Sequence, residues 1–475
     1  MKLNELSIIE AKKGLKDKEF SSVELIKACL EQIKKYNKDL NVFITVCEEE
    51  ALRQAENTDA LISSDPQAMN YKSLLGIPIA IKDLFCTKGI KTTAASNVLK
   101  NYIPQYDATV IAKLKEAGAI TIGKVNCDAW AHGSSGENSD FGPTKNPWDT
   151  DCVPGGSSSG SAVSVTANMC IAATGTDTGG SIRLPASFNS VVGLKPTYGR
   201  VSRYGIIAMA SSLDSIGHIT KTVEDSAIFL NITAGQDKND ATTCSKKVPN
   251  YIKSLKNGIK GMRLGICRKD LENVDSEIRE AMLNAEKQLK KMGAEFIDMD
   301  FKYTDSAIAC YYIIQPSEVS SNLARYDGIR YGEDRNAFGD EAKRRIMLGT
   351  FALSSGYYDA YYKNAMKIRT LLRNEYDEKF KKVDAVISPV SPTLPWRLGE
   401  KTSDPLGMYM SDVFTVTANL TGIPGLSVPA GFANGLPVGI QIFGPHYSEE
   451  KLFQIGYAYE QATKGEAWRR LKPKL

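Results

Sequence analysis

Two short segments of this 475-residue chain carry side chains that could support nucleophilic catalysis. Residues 76–83 form an apolar run that ends in Lys82 and Asp83, and residues 175–183 lead through two glycines to Ser181. Burial at a strand end disfavours an ammonium ion and lowers its pKa, so a neutral lysine can act as a base. A serine after Gly-Gly lies among backbone N–H groups that can stabilise an oxyanion. Serine–lysine pairs are a known alternative to a Ser–His–Asp triad.

A third segment, PGGSSSGS at residues 154–161, has three interpretations. Gly/Ser runs are typical of flexible linkers, but this one lies between Trp148 and an apolar run, not between independent units. Residues 156–160 also match G-x-S-x-G, the nucleophile elbow, which requires a preceding buried strand and a late histidine. The preceding residues, NPWDTDCVP, do not have a strand pattern. The remaining interpretation is a different serine-based site.

Each of these segments also has a purely structural interpretation. A lysine at a strand end is usually solvated or paired with an acid such as Asp83, and Gly-Gly-Ser is usually a turn. The chain has only three histidines, His132, His218 and His446, and any chain of this length has a few. The residues alone therefore leave open whether the segments form one site.

A fold in which strands alternate with helices would have to position these segments. Helical periodicity over residues 107–117 and 276–292 separates short apolar runs that are typical of buried strands. The runs lie at residues 76–81, 119–122, 170–173, 262–266, 383–387, 426–428 and 438–442. This alternation predicts an α/β fold with a largely parallel or mixed sheet.

The domain organisation predicted from the sequence is one compact unit. Residues 1–70 have helical periodicity, with a capping-box spacing from Ser21 to Glu24, and we expect this segment to pack on a core of residues 71–475. Residues 320–382 are rich in Tyr, Arg and Lys and predict a mainly helical insertion or lid. Because no Pro-rich or acidic linker divides the chain, we expect a single domain.

Composition argues against several classes of protein. The net charge is +4, from 59 basic and 55 acidic residues, without the concentrated basic face that unaided nucleic-acid binding needs. No stretch reaches the roughly 18 apolar residues of a membrane span, and the N-terminus lacks a signal-peptide pattern. The nine cysteines are scattered and never in C-x-x-C spacing, which predicts reduced thiols in a cytoplasmic protein and argues against structural zinc.

Taken in order, the three segments resemble the motifs of the amidase signature family. In that family a lysine lies in G-x-P-x-x-x-K-D, a serine in P-G-G-S-S and a second serine in D-x-G-G-S-I-R, and here these are Lys82, Ser157 and Ser181. The resemblance implies that Ser181 is the nucleophile and that Ser157, after a cis peptide bond, relays its proton to Lys82. It also implies the amidase-signature fold, a large mixed sheet covered by helices on both faces in a single compact domain.

The resemblance further implies roles for residues around the substrate. Arg345 would pair with a substrate carboxylate and Asp412 with its amino group, while Tyr312 would line the pocket. Asp177 and Arg183 would buttress the loop that carries the nucleophile. The backbone donors of the oxyanion hole would be Thr178, Gly179, Gly180 and Ser181.

Nearly the whole chain is similar to one branch of the family, the glutamine-hydrolysing subunits of glutamyl-tRNA(Gln) amidotransferases. The distinctive stretches are residues 193–205, 211–227, 320–332 and 338–362. This similarity implies that L-glutamine is the substrate and that its ammonia converts Glu-tRNA(Gln) to Gln-tRNA(Gln) in an ATP-dependent complex. A second subunit would bind tRNA, ATP and Mg, and a small third subunit would complete a heterotrimer. This chain would need no cofactor, metal or membrane and would contact tRNA mainly through its partner.

The sequence departs from this branch in two places. The segment between Gly332 and Phe338 is shorter than usual, and residues 129–132 read Ala-Trp-Ala-His where Glu-Phe-Ala-Met is more usual. We interpret His132 as a residue that lines the pocket, because the family mechanism needs no histidine. Two alternatives are a stand-alone amidase that acts on another amide with the same triad, and a non-catalytic scaffold subunit.

Overall fold

A computed structural model describes residues 2–326, 328 and 332–475, so residues 327 and 329–331 of the predicted lid lie outside the described part. Eleven strands form one mixed sheet in the order β1-β3-β2-β4-β6-β5-β10-β11-β9-β7-β8. The strands are β1 (Phe43–Val46), β2 (Pro78–Lys82), β3 (Ile120–Val125), β4 (Ala172–Asp177), β5 (Val192–Lys195), β6 (Ser215–Thr220), β7 (Arg263–Ile266), β8 (Glu295–Asp298), β9 (Ala385–Pro389), β10 (Gly425–Ala433) and β11 (Leu436–Phe443).

Helices alternate with these strands along the chain, which confirms the predicted α/β class. Within the described residues they are α1 (Ile8–Lys16), α2 (Ser22–Leu40), α3 (Glu48–Ser64), α4 (Ala68–Tyr71), α5 (Thr109–Glu116), α6 (Ser159–Thr166), α7 (Arg183–Phe188), α8 (Val223–Thr233), α9 (Tyr251–Ser254), α10 (Ser276–Lys291), α11 (Ala307–Asn322), α12 (Asp340–Ala352), α13 (Tyr362–Lys379), α14 (Pro405–Tyr409), α15 (Val416–Thr421) and α16 (Glu449–Ala462).

Both faces of the sheet are covered, as the alternating side chains of β2 show. Ile79 and Ile81 belong to a core cluster that includes residues of α5, α8 and α16. Ala80, which points to the opposite face, belongs to a second cluster with residues of α2, α3 and α6. A strand that is buried on both faces reads as a continuous apolar run, which is why residues 76–81 could be predicted as a strand.

The parallel pairing of β2 with β4 determines where the functional segments meet. Ile79 lies beside Ala172 and Ala80 beside Ala173, so the two strands run in the same direction. Their carboxyl ends therefore lie at the same edge of the sheet. Lys82 ends β2 and Asp177 ends β4, so the sheet itself brings the lysine segment next to the Gly-Gly-Ser segment.

The N-terminal region contains the predicted capping box and one strand that its periodicity did not indicate. The Ser21 hydroxyl accepts a hydrogen bond from the Glu24 N–H at 3.1 Å, and the Glu24 carboxylate accepts one from the Ser21 N–H at 2.7 Å. This confirms the start of α2. Strand β1 follows α2 and pairs antiparallel with β3 at one end of the sheet.

Two short central strands, β5 and β6, also escaped the sequence pattern because glycines interrupt their apolar character. A side chain at Gly217 in β6 would collide with the Leu194 carbonyl of β5. A side chain at Gly193 in β5 would lie 2.6 Å from the Ala186 side chain of α7. These glycines are required by the close approach of neighbouring backbone, not by a turn.

The region predicted as a helical insertion contains α12 and α13, which both pack against α11. Phe338, just before α12, stacks on Trp130 with ring centroids 5.2 Å apart, and Tyr326, after α11, packs against it at a tilt with centroids 4.8 Å apart. Whether this region moves as a lid stays a prediction. Among the residues that the structure describes, no helix combines the length and apolar character of a membrane span.

Candidate active site

Lys82 lies at the end of β2 with a fully buried side chain that contacts only hydroxyl groups. Its Nζ is 2.8 Å from Ser157 Oγ, 2.9 Å from Ser158 Oγ and 2.8 Å from Thr176 Oγ1. No carboxylate hydrogen-bonds to it within the described structure. Burial lowers the pKa of Lys82 to about 8, although the charges of nearby buried acids partly oppose this shift. The amine is therefore available in its neutral form near neutral pH.

The three hydroxyl partners suit a neutral amine, which has two N–H donors and one lone pair. Ser158 Oγ lies 3.2 Å from the Thr176 carbonyl oxygen and donates its proton there, so towards Lys82 it can only accept. A hydroxyl that still has its proton must then donate to the lysine lone pair. Ser157 can do so, which gives Lys82 the geometry of a base that takes a proton from Ser157.

The peptide bond between Gly156 and Ser157 is cis, as the resemblance to the amidase signature family implied. The Ser157 carbonyl accepts a hydrogen bond from the Asp128 N–H at 3.2 Å, and the Gly156 N–H donates to the Ser134 carbonyl at 2.8 Å. A side chain at Gly156 would collide with the Asp128 carboxylate. Residues 154–161 are thus a buried segment that leads into the first turn of α6, and the linker interpretation is wrong.

Ser181 is the serine of the site that a substrate can reach. Its exposed fraction is 8%, whereas Lys82 and Ser157 are fully buried at 0%. The Ser181 carbonyl accepts a hydrogen bond from the Ser158 N–H at 3.1 Å, which ties the two serine segments together. The roles that the resemblance implied for Lys82, Ser157 and Ser181, as base, relay and nucleophile, stay predictions.

Asp177 and Arg183 hold the loop that carries Ser181, as predicted. The Asp177 carboxylate accepts from the Gly180 N–H at 2.9 Å, from the Ile182 N–H at 3.2 Å and from the Arg183 guanidinium at 3.0 Å. Burial alone would raise the pKa of Asp177, but the Arg183 guanidinium holds that pKa below its usual range. The carboxylate therefore stays charged and fixes the loop.

Arg183 connects this loop to distant parts of the chain. Its guanidinium donates to Gln441 Oε1 at 3.0 Å, to Asn419 Oδ1 at 2.8 Å and to the Thr415 carbonyl at 2.9 Å. The side chain is fully buried, so each of these bonds compensates for the removal of its charge from water. The predicted buttress therefore spans the nucleophile loop and the C-terminal strands.

The oxyanion hole differs in one donor from the set that the resemblance implied. The Gly180 N–H already donates to Asp177, so it holds the loop instead of facing the substrate. The N–H groups of Thr178, Gly179 and Ser181 have no acceptor among the described residues. Gly180 has a φ of +140°, and a side chain there would collide with Thr415, so glycine is required for the backbone of this loop.

Asp412 and Tyr312, predicted to bind the substrate, are in direct contact. Tyr312 donates its hydroxyl proton to Asp412 Oδ2 at 2.9 Å, and Ser134 donates to the same carboxylate at 2.8 Å. Burial raises the pKa of Asp412 to about 6, while these two hydrogen bonds oppose the rise. The carboxylate is ionised at neutral pH and can pair with a substrate ammonium group.

Arg345, predicted to bind the substrate carboxylate, lies on α12 with its guanidinium beside the stacked rings of Tyr312 and Tyr409, whose centroids are 3.8 Å apart. The guanidinium carbon is 5.4 Å from the Tyr312 centroid and 5.6 Å from the Tyr409 centroid. Its Nε donates to Glu341 Oε1 at 2.7 Å. The terminal nitrogens of Arg345 have no hydrogen-bond acceptor among the described residues, so they remain available for a ligand.

The substrate-binding residues are joined to the nucleophile loop by Thr415. Its hydroxyl donates to the Gly179 carbonyl at 2.5 Å, and its N–H donates to the Asp412 carbonyl at 2.9 Å. The two ends of the site, a cation–anion pair and a serine–lysine relay, are therefore fixed relative to each other. Such a site fits a zwitterionic amino acid that carries a side-chain amide.

Several residues of the site were not identified from the sequence. Thr176, the third partner of Lys82, lies only one residue before Asp177 and could have been inferred from the alternation of β4. Ser134 and Tyr409, which contact the substrate-binding pair, carry no recognisable motif. The G-x-S-x-G match is not a nucleophile elbow, because Ser158 is fully buried against Lys82 and no described histidine contacts it.

Comparison with known proteins shows to which family this chain belongs. The model of the Amidase family matches residues 24–453. The chain is 50% identical to the A subunit of glutamyl-tRNA(Gln) amidotransferase from Geobacter metallireducens, over 98% of this chain and 99% of that protein. It is 48% identical to the protein of the same description from Coxiella burnetii, with 100% of both chains covered.

Solved structures agree with the sequence relatives. The crystal structure of the A subunit of glutamyl-tRNA(Gln) amidotransferase from Thermotoga maritima superposes with a TM-score of 0.82 at 42% identity, covering 97% of this chain and 95% of that one. The peptide amidase from Stenotrophomonas maltophilia superposes with a TM-score of 0.84 at 29% identity, with 98% of both chains covered. The chain therefore belongs to the amidase family and, within it, to the family of glutamyl-tRNA(Gln) amidotransferase A subunits.

Proposed function

We propose that this chain is the glutamine-hydrolysing subunit of a glutamyl-tRNA(Gln) amidotransferase, in which it releases ammonia from L-glutamine. The observation that carries the proposal is the Lys82–Ser157 pair, buried beside the accessible Ser181, at one end of a site whose other end presents Arg345 and Asp412. The relay would hydrolyse the amide, and the two charged side chains, Arg345 and Asp412, would select a substrate that is an amino acid.

The first chemical step is attack by Ser181 on the side-chain amide carbon of glutamine. As the new C–O bond forms, the Ser181 proton passes to Ser157, and the Ser157 proton passes to the lone pair of Lys82. The amide oxygen becomes an oxyanion. The N–H groups of Thr178, Gly179 and Ser181 are the donors proposed to stabilise it.

Collapse of this intermediate breaks the C–N bond. Lys82 returns its proton through Ser157 to the leaving nitrogen, so ammonia departs and an ester remains on Ser181. Water then attacks the ester carbonyl, and the same relay takes a proton from the water and returns one to Ser181. The products are ammonia, glutamate and the regenerated enzyme, so no atom or charge is left unbalanced.

Recognition of glutamine rests on the buried pair at the other end of the site. The terminal nitrogens of Arg345 would bind the α-carboxylate, and Asp412 would bind the α-ammonium. Tyr312 lies between them, because its hydroxyl bonds Asp412 and its ring lies over Arg345. A charged pair of this kind fixes the orientation of an amino acid and so places its side-chain amide at Ser181.

We assign the remaining steps to partner subunits. A second subunit would bind tRNA and ATP with Mg, activate the misattached glutamyl group and receive the ammonia, while a small third subunit would complete the heterotrimer. In the described part of this chain, no group of three or more His, Cys, Asp or Glu side chains is arranged to hold a metal. The nine cysteines are free thiols, which agrees with a cytoplasmic location.

The nucleophile is tested by Ser181→Ala, with Ser159→Ala as its matched control. We expect Ser181→Ala to reduce ammonia release by about 10³-fold or more. Ser159 is equally small and buried, but its hydroxyl donates to Thr144 and not to Lys82, so Ser159→Ala should keep most of the activity. Undiminished activity in Ser181→Ala would contradict the assignment of the nucleophile.

The proposal that this chain works as a subunit of an amidotransferase is tested by measuring ammonia release from L-glutamine with and without the partner subunits. The purified chain is compared with the chain plus the subunits that co-purify from its own host, with ATP and Glu-tRNA added. Strong stimulation is the expected result. Rapid hydrolysis of simple amides by the chain alone, with no response to tRNA and no preference for glutamine, would instead identify a stand-alone amidase.

A further inference from the structure

His132 is a buried histidine two residues before Ser134, and its ring forms no hydrogen bond within the part of the chain that the structure describes. Its exposed fraction is 1%, and neither Nδ1 nor Nε2 forms a hydrogen bond to any described residue. Leaving a buried polar group unpaired costs about 1–3 kcal/mol, so a buried ring without partners indicates a place that something else fills. The catalytic relay does not use this ring, so the relay does not explain why a histidine lies here.

The neighbours of His132 place it at the substrate-binding end of the site. Two residues later, Ser134 donates its hydroxyl proton to Asp412 at 2.8 Å. Burial, and after it the positive charge of Arg345, hold the pKa of His132 well below its usual range, although the nearby Ala129 backbone opposes the shift without forming a hydrogen bond of good geometry to the ring. The imidazole is therefore neutral and presents one N–H donor and one acceptor close to the guanidinium that would bind a carboxylate.

The backbone around His132 is held in one conformation. Trp130 and Ala131 have φ values of +58° and +64°, in the left-handed region, and the Trp130 ring packs against those of Phe338 and Tyr326. The Asn138 side-chain amide donates to the His132 carbonyl at 3.1 Å. The histidine is thus presented by a fixed loop, which is the condition for a precise contact with a ligand.

His132 does not take part in proton transfer to the nucleophile. Its ring forms no hydrogen bond to Ser157, Ser181 or any other hydroxyl of the described residues. Lys82 and Ser157 already form the relay, at 2.8 Å. A role in substrate binding at the charged end of the site explains both the unpaired ring and its proximity to Arg345.

We propose that His132 is a substrate-binding residue whose imidazole donates a hydrogen bond to the α-carboxylate that Arg345 holds. The histidine thereby helps the enzyme to select an amino-acid amide over an amide without a carboxylate. This inference rests on the proposed glutaminase function. It adds a third contact to the pair formed by Arg345 and Asp412, at a position where the family more usually has methionine.

The test measures the binding of L-glutamine by calorimetry, in the Ser181→Ala background so that no turnover occurs. We expect His132→Met to weaken binding of L-glutamine by about 10- to 100-fold, the range for a hydrogen bond to a charged group. Binding of γ-aminobutyramide, which is glutamine without its α-carboxylate, should not change. His132→Asn keeps an N–H donor at a similar distance and should restore part of the affinity.

His218→Met is the matched control for the removal of a buried histidine. The His218 ring bonds Ser226 at 2.7 Å and stacks on Phe229, so its loss should lower stability without changing the affinity for glutamine. Thermal unfolding of every variant shows that it is folded at the temperature of the binding experiment. In the enzyme with Ser181 intact, His132→Met should raise KM for glutamine and leave kcat nearly unchanged.

Three results would overturn the inference. The first is unchanged glutamine affinity in His132→Met, and the second is an equal loss of affinity for γ-aminobutyramide, which would indicate altered packing only. The third is a fall in kcat at constant KM, which would place His132 in the chemistry. If the Ser181→Ala parent itself fails to bind L-glutamine, the proposed function fails first, before any comparison at His132.

Discussion

Two buried lysines on neighbouring strands of the sheet have opposite surroundings. Lys82 ends β2 and contacts three hydroxyl groups, whereas Lys124 on β3 lies 3.3 Å from the Asp83 carboxylate. Lys124 also donates to the Phe85 carbonyl at 2.8 Å. Both side chains have no exposed surface. The same residue type, at the same depth and one strand apart, is the proposed base in one place and part of a buried ion pair in the other.

The difference between the lysines teaches that the partner, and not the burial, decides the role. Burial lowers the pKa of both side chains and nearby buried acids oppose the shift in both, but only Lys124 has a carboxylate within ion-pair distance, that of Asp83 at 3.3 Å. Hydroxyl groups can donate as well as accept, so the partners of Lys82 tolerate a neutral amine, whereas a carboxylate favours the cation.

Loss of the Lys82 side chain should have the largest effect on activity. We expect Lys82→Met to lower kcat by about 10²–10⁴-fold, the usual contribution of a general base, because Ser157 then has no acceptor for its proton. The fold should persist, since the substitution removes a buried amine whose partners are neutral. Stopped or continuous assays of ammonia release measure the effect. Activity within a small factor of the parent would contradict the relay.

Loss of the Lys124 side chain should act on stability instead. Lys124→Met leaves Asp83 as an unpaired buried carboxylate, so we expect the free energy of unfolding to fall by about 3–5 kcal/mol. Denaturant unfolding measures the change, and activity per folded molecule should remain close to that of the parent. Adding Asp83→Asn to the same chain should recover much of the loss. A double variant as unstable as the single one would contradict the ion-pair explanation.

The pH dependence of the reaction should reflect the neutral form of Lys82. Because the base must be deprotonated and its pKa is about 8, kcat/KM for glutamine should rise about tenfold per pH unit below that value and level off above it. Below a pH of about 6 the fall should become steeper, because protonation of Asp412 removes the partner of the substrate ammonium. A profile that is flat between pH 6 and pH 8 would show that Lys82 does not titrate in this range.

The smallest expected effect comes from removal of a single hydroxyl partner. Thr176→Val keeps the shape of the side chain but removes one of three contacts to Lys82, so kcat should fall by about 2- to 10-fold. The matched variant at the other lysine is Thr92→Val, which removes a hydroxyl 2.6 Å from Lys124. It should lower stability by about 1 kcal/mol and leave kcat unchanged. If the two variants changed kcat equally, the proposed difference in role between Lys82 and Lys124 would be wrong.

The sequence allowed the alternation of strands and helices to be predicted, because most buried strands contain short apolar runs, such as residues 77–81 of β2. It did not allow β5 and β6 to be predicted, since Gly193 and Gly217 are set by contacts with other elements that no local pattern records. Sheet order also depends on tertiary contacts. Periodicity cannot show that β2 pairs with β4 across some ninety intervening residues.

The catalytic residues could be proposed from the sequence because their motifs are local and resemble a known family. What the sequence could not show is which partner each residue takes. Asp83 looked like the natural partner of its neighbour Lys82, yet successive residues point to opposite sides and Asp83 pairs with Lys124. In the same way, the Gly180 N–H was expected to face an oxyanion, and the loop uses it to hold Asp177.

The bonds of Arg183 have a consequence for the synthesis of the protein. The residue that orders the nucleophile loop also holds Gln441, 258 positions further along the chain, and Asn419, 236 positions along. A nascent chain contains all of Lys82, Ser157 and Ser181 long before those partners have left the ribosome. We therefore expect the nucleophile loop to reach its final conformation only after nearly the whole message has been translated.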